Sequence, residues 1–312
     1  MRRTRTVAAL LLIAASGLTS AGSPGAAFEV GRPIVPEEGY EWKNEKRSYF
    51  PSEEWLSGAP ADHRFDLRKL DEALDLARDD ALMRAVLVVR EGRIVVEEYL
   101  HGGAVDQSTE VWSVTKSFVS ALIGIALQDG HLESIDDLMV KYLPDYPGFG
   151  DLTIRHVLTH TTGLEWTEEG DDFVQWLAST DPVADALGRE RVFSPGDKLH
   201  YSSGNSHFLS VLIHRVTGAT PGEYADEHIF QPLGIQFRVQ DRSSDEVTWD
   251  DFLIRTPHTW KRDRAGIELG AFGLSMTARD MARFGYLYLN KGRWEGETIV
   301  DAGWVLESTR DH

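Results

Sequence analysis

The sequence contains no cysteine. Without a thiol, the chain cannot form a disulfide, bind a metal through thiolates, use a cysteine nucleophile or carry a lipid-modified cysteine anchor. Basic residues are also scarce: 32 lysines and arginines stand against 50 aspartates and glutamates, and the formal net charge is −18 at pH 7. Such an excess of negative charge opposes binding to nucleic acid and to anionic lipid. We interpret it as a solvated acidic surface.

The apolar run of the N-terminal segment is too short to span a membrane, and no other run is long and apolar enough to do so, so the sequence pattern predicts no transmembrane helix. Residues 1–27 contain three early arginines, an apolar run at 7–15 and the small residues Gly-Ala-Ala at 25–27. This order is typical of a secretory signal peptide, and residues 19–21 form an alternative cleavage site. We therefore expect the mature protein to be soluble and exported, either periplasmic or secreted, with no membrane anchor.

The remaining chain predicts an α/β body with an inserted helical subdomain at roughly 130–250. Residues 28–64 lack any period and predict an extended N-terminal arm, which leaves 65–312 as the folded domain. Two β-branched runs around a glycine-containing turn predict a hairpin of strands 85–90 and 93–99. Helical spacing predicts helices at 65–79, 110–130, 135–143, 152–158, 174–187, 205–218, 224–230, from 277 onward and at 304–307.

The most apolar of these helices is the one at 110–130. Its residues from Val114 to Leu127 are apolar or small around nearly the whole circumference, which predicts a buried central helix. Ser113 lies at its N-terminus, and Lys116 lies one turn later on the same face. Burial and the helix dipole both disfavour a charged lysine there, so Lys116 can act as a base toward Ser113. The free N–H groups at the helix start, including that of Ser113, can stabilise an oxyanion.

Tyr201 has a similar position, at the start of a second apolar helix that Ser202 or Ser203 can cap. A tyrosine that faces a lysine and a helix start can be pushed toward phenolate and can shuttle protons. The alternative interpretation is a partly buried tyrosine with a satisfied hydroxyl.

These stretches together resemble the serine β-lactamase and penicillin-binding-protein family, closest to its class C-like, esterase-like and D-alanyl-D-alanine carboxypeptidase-like branch. The matching motifs are Ser113-Val114-Thr115-Lys116 for the family's Ser-x-x-Lys and Tyr201-Ser202-Ser203 for its Tyr-x-Asn. Supporting segments lie at 152–164, 193–196, 232–234 and 273–280, so the resemblance covers roughly residues 80–310. It implies a mainly antiparallel sheet flanked by helices, a helical subdomain, and an active site in the cleft between them.

The resemblance implies that Ser113 is the acylated nucleophile and that Lys116 and Tyr201 share general acid and base duty. Position 203 carries serine where the family usually has asparagine. Ser203 is therefore the expected substrate contact, and Asn205 is a possible substitute for the missing amide.

The family's third motif, Lys- or His-x-Gly on a late strand, is missing. The segments at 101–103 and 160–163 look similar but precede Tyr201. A single hairpin also makes a marginal sheet. We therefore expect the chain to be truncated at its C-terminus and to lack the strands that would complete the sheet.

Other chemistries fit the sequence less well. His156 and His160 have the spacing of a zinc pair, but the residue after His156 is Val157 instead of the glutamate of a metalloprotease, so we expect both histidines to be structural. No Gly-x-Ser-x-Gly, phosphate loop or dinucleotide fingerprint is present. We expect no metal and no cofactor.

The predicted function is a secreted serine hydrolase that cleaves an ester, an amide or a β-lactam through an acyl-enzyme. The predicted partner is a small-molecule or peptidoglycan-like substrate. The alternative is a non-catalytic penicillin-binding or sensor homologue, which would show at most a stoichiometric burst.

Overall fold

The computed structural model describes residues 49–237 and 259–312. The predicted signal peptide, residues 28–48 of the predicted arm, and residues 238–258, which overlap the end of the predicted helical subdomain, lie outside the described residues.

The predicted hairpin is confirmed. Strands β1 (Ala85–Arg90) and β2 (Arg93–Tyr99) pair antiparallel, and the register shifts by a bulge between Val88 and Val89. Its turn uses Glu91 and Gly92, both with positive φ, which is the conformation that a tight hairpin requires. Helix α1 (Leu67–Asp79) begins at its cap, Asp66, and covers one face of the hairpin with Leu70 and Leu74.

Helices are the commonest regular elements of the described chain. They are α2 (Thr115–Gln128), α3 (Met139–Tyr142), α4 (Ile154–Leu158), α5 (Asp171–Ala178), α6 (Pro182–Leu187), α7 (Ser203–Thr217), α8 (Pro221–Ala225), α9 (Ala278–Leu289) and α10 (Ala302–Ser308). A π turn at Asp226–Phe230 continues α8. The single helix predicted at 174–187 is wrong: Pro182 has no N–H to donate and disfavours a helical residue before it, so Asp181 caps a separate helix.

Helix α2 forms the centre of the core, as its apolar circumference predicts. Phe118, Leu122 and Ile125 are almost wholly buried. Helices α7 and α10 both pack against it, and the Trp304 ring of α10 lies directly over Gly124. Burial on this scale is the main stabilising contribution to the fold, at about 2 kcal/mol for each large apolar side chain.

The structure also has two short strand pairs that the sequence did not predict, because a strand of only two residues shows no periodicity. β3 (Thr109–Glu110) pairs antiparallel with β4 (Ser275–Met276), and the Val111 N–H extends this pairing to the Leu274 carbonyl. The second pair is β5 (Arg293–Trp294) with β6 (Glu297–Thr298). The β3–β4 pair matters for function, since it anchors the chain just before Ser113.

The fold is a mixture of helices and antiparallel sheet, as expected. Within residues 49–237 and 259–312, no strand pairs with the outer edge of β1. An apolar groove of about 320 Å³ follows that edge, and Leu87, Val89 and Met281 are among its lining residues.

Candidate active site

Ser113 lies on a tight 3-10 turn, Trp112–Val114, that joins β3 to α2. The turn begins with Trp112 in the left-handed conformation at φ 47°, which is costly for a bulky residue. Val114 and Thr115 donate the turn's own hydrogen bonds to Val111 and Trp112, so the Ser113 N–H takes no part in them. The exposed serine therefore stands two residues before the first residue of α2, with its N–H available to an oxyanion.

Lys116 points back from the first turn of α2 onto this serine. Its Nζ lies 3.1 Å from Ser113 Oγ, 3.4 Å from Ser203 Oγ and 2.9 Å from the carbonyl oxygen of Ala271. Burial lowers the pKa of Lys116 to about 8, and the nearby charge of Glu168 opposes this only in part. A lysine with this pKa is partly neutral near neutral pH and can accept a proton.

The carbonyl that holds Lys116 belongs to a segment packed tightly on α7. A Cβ on Gly270 would lie 2.1 Å from the carbonyl oxygen of Ser206, so only glycine allows this approach. Glu110 secures the segment from the other side, because its carboxylate accepts the Gly273 N–H at 2.9 Å and pairs with Lys261 at 3.3 Å. Burial raises the pKa of Glu110. Both contacts hold Ala271 over the lysine.

Tyr201 completes the contacts to the serine. Its hydroxyl donates to Ser113 Oγ at 2.7 Å, and Lys116 Nζ lies 4.7 Å from the centre of its ring. Burial raises the pKa of Tyr201, so the expectation of a phenol pushed toward phenolate is wrong for the resting site. Burial outweighs the effect of the hydrogen bond to Ser113, and the neighbouring Glu168 charge also disfavours a phenolate. The resting tyrosine is a neutral proton donor.

His160 forms the floor beneath Tyr201. The two rings stack at 4.9 Å with an interplanar angle of 19°, and His160 Nδ1 accepts the Ser202 N–H at 3.1 Å. Burial, with a contribution from Lys116, lowers the pKa of His160 to about 4, so the ring is neutral and its remaining proton is on Nε2. The structure thus gives this histidine a packing role in the site, whereas the sequence marked it as half of a zinc-like pair and as part of a segment similar to the third motif.

His156 has no part in the cluster, because its Nδ1 accepts the Thr153 N–H at the start of α4. Within the described part of the chain, no group of three or more His, Cys, Asp or Glu side chains is arranged to hold a metal ion. Across the same residues, no helix is long and apolar enough to cross a membrane.

Ser203 is in the site but is turned away from the cleft. It is only 2% exposed, its N–H donates to Glu168 Oε1 at 2.8 Å, and its hydroxyl donates to Glu168 Oε2 at 2.7 Å. Its single hydroxyl proton is used in the hydrogen bond to Glu168. Toward Lys116, the Ser203 oxygen can therefore only accept a hydrogen bond.

Asn205 is not brought to the site. Its side chain is 1% exposed and exchanges hydrogen bonds with Thr162, at 3.0 Å from Nδ2 and 3.2 Å to Oδ1. This satisfied pair ties α7 to the segment after α4. We assign Asn205 a structural role in place of the suggested substrate contact.

Glu168 is the site residue that sequence reasoning missed. It lies in a loop between α4 and α5, and it meets Ser203 only because this loop folds across the start of α7. No spacing or local pattern signals such a contact, since 35 residues separate the two partners.

A sequence model of the family described as Beta-lactamase matches residues 77–311. This covers most of the chain, and the protein belongs to the Beta-lactamase family. The chain is 24% identical over 249 residues to the 6-aminohexanoate-dimer hydrolase of Paenarthrobacter ureafaciens, covering 74% of this chain and 58% of that protein. It is 31% identical over 141 residues to penicillin-binding protein 4* of Bacillus subtilis, covering 43% of this chain and 31% of that protein.

The fold agrees with this membership. The octameric penicillin-binding protein homologue from Pyrococcus abyssi superposes with a TM-score of 0.57 at 18% identity, over 78% of this chain and 59% of that chain. At that identity the likeness concerns the fold alone. The chain thus spans 58% or less of the two curated relatives described.

Proposed function

We propose that this protein is a serine hydrolase that works through an acyl-enzyme on Ser113. The observation that carries the proposal is the convergence of two groups on one oxygen: Lys116 Nζ at 3.1 Å and the Tyr201 hydroxyl at 2.7 Å both contact Ser113 Oγ. A hydroxyl with a partly neutral amine on one side and a phenol on the other has a base and an acid in reach. Membership of a generally hydrolytic family supports the same chemistry.

Acylation follows from these contacts. Neutral Lys116 accepts the hydroxyl proton as Ser113 Oγ forms a bond to the substrate carbonyl carbon. The carbonyl oxygen becomes an oxyanion next to the Ser113 N–H. Tyr201 gives its proton to the leaving group, the bond to that group breaks, and the proton held by Lys116 restores the phenol. Water then attacks the ester with the same two groups as base and acid, which frees Ser113 and the product acid.

For the substrate we rank esters and amides first, and β-lactams or peptidoglycan-like peptides second. The 6-aminohexanoate-dimer hydrolase name of one relative supports a linear amide, and the penicillin-binding-protein name of another supports the second class. We propose further that residues 1–27 export the protein to the periplasm or the medium, where such substrates occur.

Mass spectrometry of the intact protein after treatment with a fluorophosphonate or a penicillin tests the proposal, with the adduct mapped to a peptide. We expect one adduct on Ser113, and steady-state turnover of an activated ester. An adduct elsewhere would contradict the role of Ser113. A single stoichiometric burst without turnover would favour the alternative, a non-catalytic penicillin-binding or sensor homologue.

A further inference from the structure

The loop that carries Glu168 is built rigidly. Gly163 has φ 76° and packs so closely on Phe193 that a Cβ would lie 2.0 Å from its carbonyl oxygen. The Glu165 N–H donates to Glu190 at 2.8 Å, and the Val192 N–H donates to Gly163 at 2.8 Å. These backbone bonds tie the start of the loop to the segment after α6.

Trp166 fixes the far end of this loop against α7. Its ring covers Gly204, where a Cβ would approach Cζ3 to 2.5 Å, and stands edge-on to Trp176 at 5.1 Å. The Arg189 guanidinium lies over the ring at 4.2 Å. The indole Nε1–H then donates to Glu168 Oε1 at 2.6 Å. The carboxylate is therefore held by the packing of a large aromatic side chain instead of moving freely in solvent.

Glu168 has three donors, which are Trp166 Nε1–H, the Ser203 N–H and the Ser203 hydroxyl. The Ser203 N–H belongs to the first turn of α7, where the helix dipole favours a negative charge. Because the hydroxyl proton points to Glu168, the lone pairs of Ser203 Oγ face Lys116 Nζ at 3.4 Å. The carboxylate thus determines how Ser203 meets the lysine.

We infer that Glu168 is a positioning residue for the reaction at Ser113: it turns Ser203 into a fixed acceptor for Lys116 and places a negative charge beside that lysine. The inference rests on the proposed function and assigns Glu168 no contact with substrate. Ser203 thereby becomes part of the lysine's support instead of the substrate contact suggested by its place in the motif.

The negative charge of Glu168 should raise the pKa of Lys116. The titratable groups around Lys116 are Tyr201 from the start of α7, His160 from the end of α4 and Glu168 from its loop. Tyr201 and His160 are neutral near neutral pH, so Glu168 is the negative group among these three. It raises the pKa of Lys116 against the effect of burial, and neutralising it should lower that pKa further.

The test is the rate of Ser113 labelling by a fluorophosphonate between about pH 5 and pH 10, because neutral Lys116 is needed and the rate rises as the lysine loses its proton. Glu168→Gln should move this rise to lower pH by roughly half a unit or more. Its limiting rate should fall roughly tenfold, since the amide presents a donor in place of one acceptor oxygen and disturbs Ser203.

The matched control is Glu169→Gln, which removes the same charge from the exposed neighbouring residue. We expect its labelling profile to coincide with that of the wild type. If the labelling profile of Glu168→Gln coincided with those of the wild type and the control, the inference would be overturned and the proposed function would stand. No labelling of wild-type Ser113 would instead overturn the proposed function, and the inference with it.

Glu168→Asp covers the case in which the glutamine variant fails to fold. This variant keeps the charge, so the labelling rate should rise at the same pH as in the wild type. Its side chain is shorter, so the limiting labelling rate should fall. A wild-type limiting rate in this variant would contradict the positioning role. Competitive acetylation of Lys116, followed by peptide mass spectrometry across the same pH range, reads the lysine's protonation without relying on catalysis. There too, a wild-type midpoint in Glu168→Gln would overturn the inference.

Discussion

At the scale of single residues, the site combines a strained serine turn with a buried lysine. Trp112 carries the strain, with φ at 47°, and Lys116 carries the electrostatic cost, with its pKa lowered to about 8. Both features destabilise the folded chain and both serve the proposed chemistry, which is the pattern expected where function overrides local preference.

Replacing the nucleophile is the most direct prediction at this scale. Ser113→Ala should abolish covalent labelling and lower turnover by roughly 10³ to 10⁶, the range seen when one member of a catalytic unit is removed. The matched control is Ser117→Ala, an exposed serine one turn further along. It should label and turn over like the wild type. Labelling that persists in Ser113→Ala would exclude Ser113 as the nucleophile.

Lys116 and Tyr201 should behave as one unit, because both contact the same oxygen. Lys116→Ala and Tyr201→Phe should each impair acylation, and the double variant should be little worse than the worse single one. Chelators should leave the rate unchanged. Stopped-flow acylation rates give the comparison, and fully additive losses would argue against a shared mechanism.

The buried lysine should also affect stability in a pH-dependent way. Its pKa falls from 10.5 to about 8 on folding, which corresponds to a cost of about 3 kcal/mol when it is charged. Between these two pKa values Lys116 is protonated in the unfolded chain but not in the folded chain. Its contribution to the free energy of unfolding therefore rises with pH in this range. Below about pH 8 the cost is present in full.

Lys116→Met removes that cost together with the hydrogen bond to Ala271. Relative to this variant, the wild type should gain stability as the pH rises from about 8 toward 10.5. Urea unfolding at both ends of this window measures the difference. An unchanged difference would mean that Lys116 is solvated in the folded protein and has an ordinary pKa.

At the scale of elements, close contacts between helices position the site. Helix α10 packs on α2 only because residue 124 is glycine: a Cβ there would lie 2.2 Å from Trp304 Cδ1. Gly270 similarly allows its own segment to approach Ser206 of α7, and Gly204, which lies in α7, allows the Trp166 ring to approach that helix. The helices were predictable from apolar spacing, whereas these contacts depend on which faces meet in three dimensions.

Gly124→Ala tests the contact between α2 and α10. Alanine favours a helix over glycine by about 1 kcal/mol, yet overpacking costs about 1–3 kcal/mol, so we expect a net loss of stability. Gly148→Ala is the control, since its Cβ would meet Leu187 at an ordinary 3.6 Å. Adding Trp304→Ala to Gly124→Ala should show strong coupling in a double-mutant cycle of unfolding free energies. Purely additive effects would place the helices further apart than described.

At the scale of the whole molecule, the notable feature is the outer edge of β1. In the described residues this edge has no paired strand, and an apolar groove of about 320 Å³ runs along it. An open apolar edge invites pairing with another chain. The net charge of −18 opposes association in general but does not cover this edge.

We therefore expect the 312-residue chain to self-associate through β1. Leu87→Lys places a charge in the groove and should shift the protein toward monomer in sedimentation velocity. Leu76→Lys, on the outer side of α1 and 75% exposed, should leave the distribution unchanged. A wild-type chain that stays monomeric at high concentration would show that the edge is protected.

The sequence by itself determined the hairpin, the buried central helix and the pairing of Ser113 with Lys116, because each depends on local periodicity or on a short motif. The place of Tyr201 beside this pair was an expectation from the family resemblance, since 88 residues separate it from Ser113. Only the tertiary structure decided the neutral state of the Tyr201 phenol, the inward turn of Ser203, the burial of Asn205 beside Thr162 and the entry of Glu168 into the site. The physical reason is the same in each case. Desolvation and hydrogen-bond partners come from residues far apart in the chain, such as the loop that crosses α7, and no local pattern encodes them.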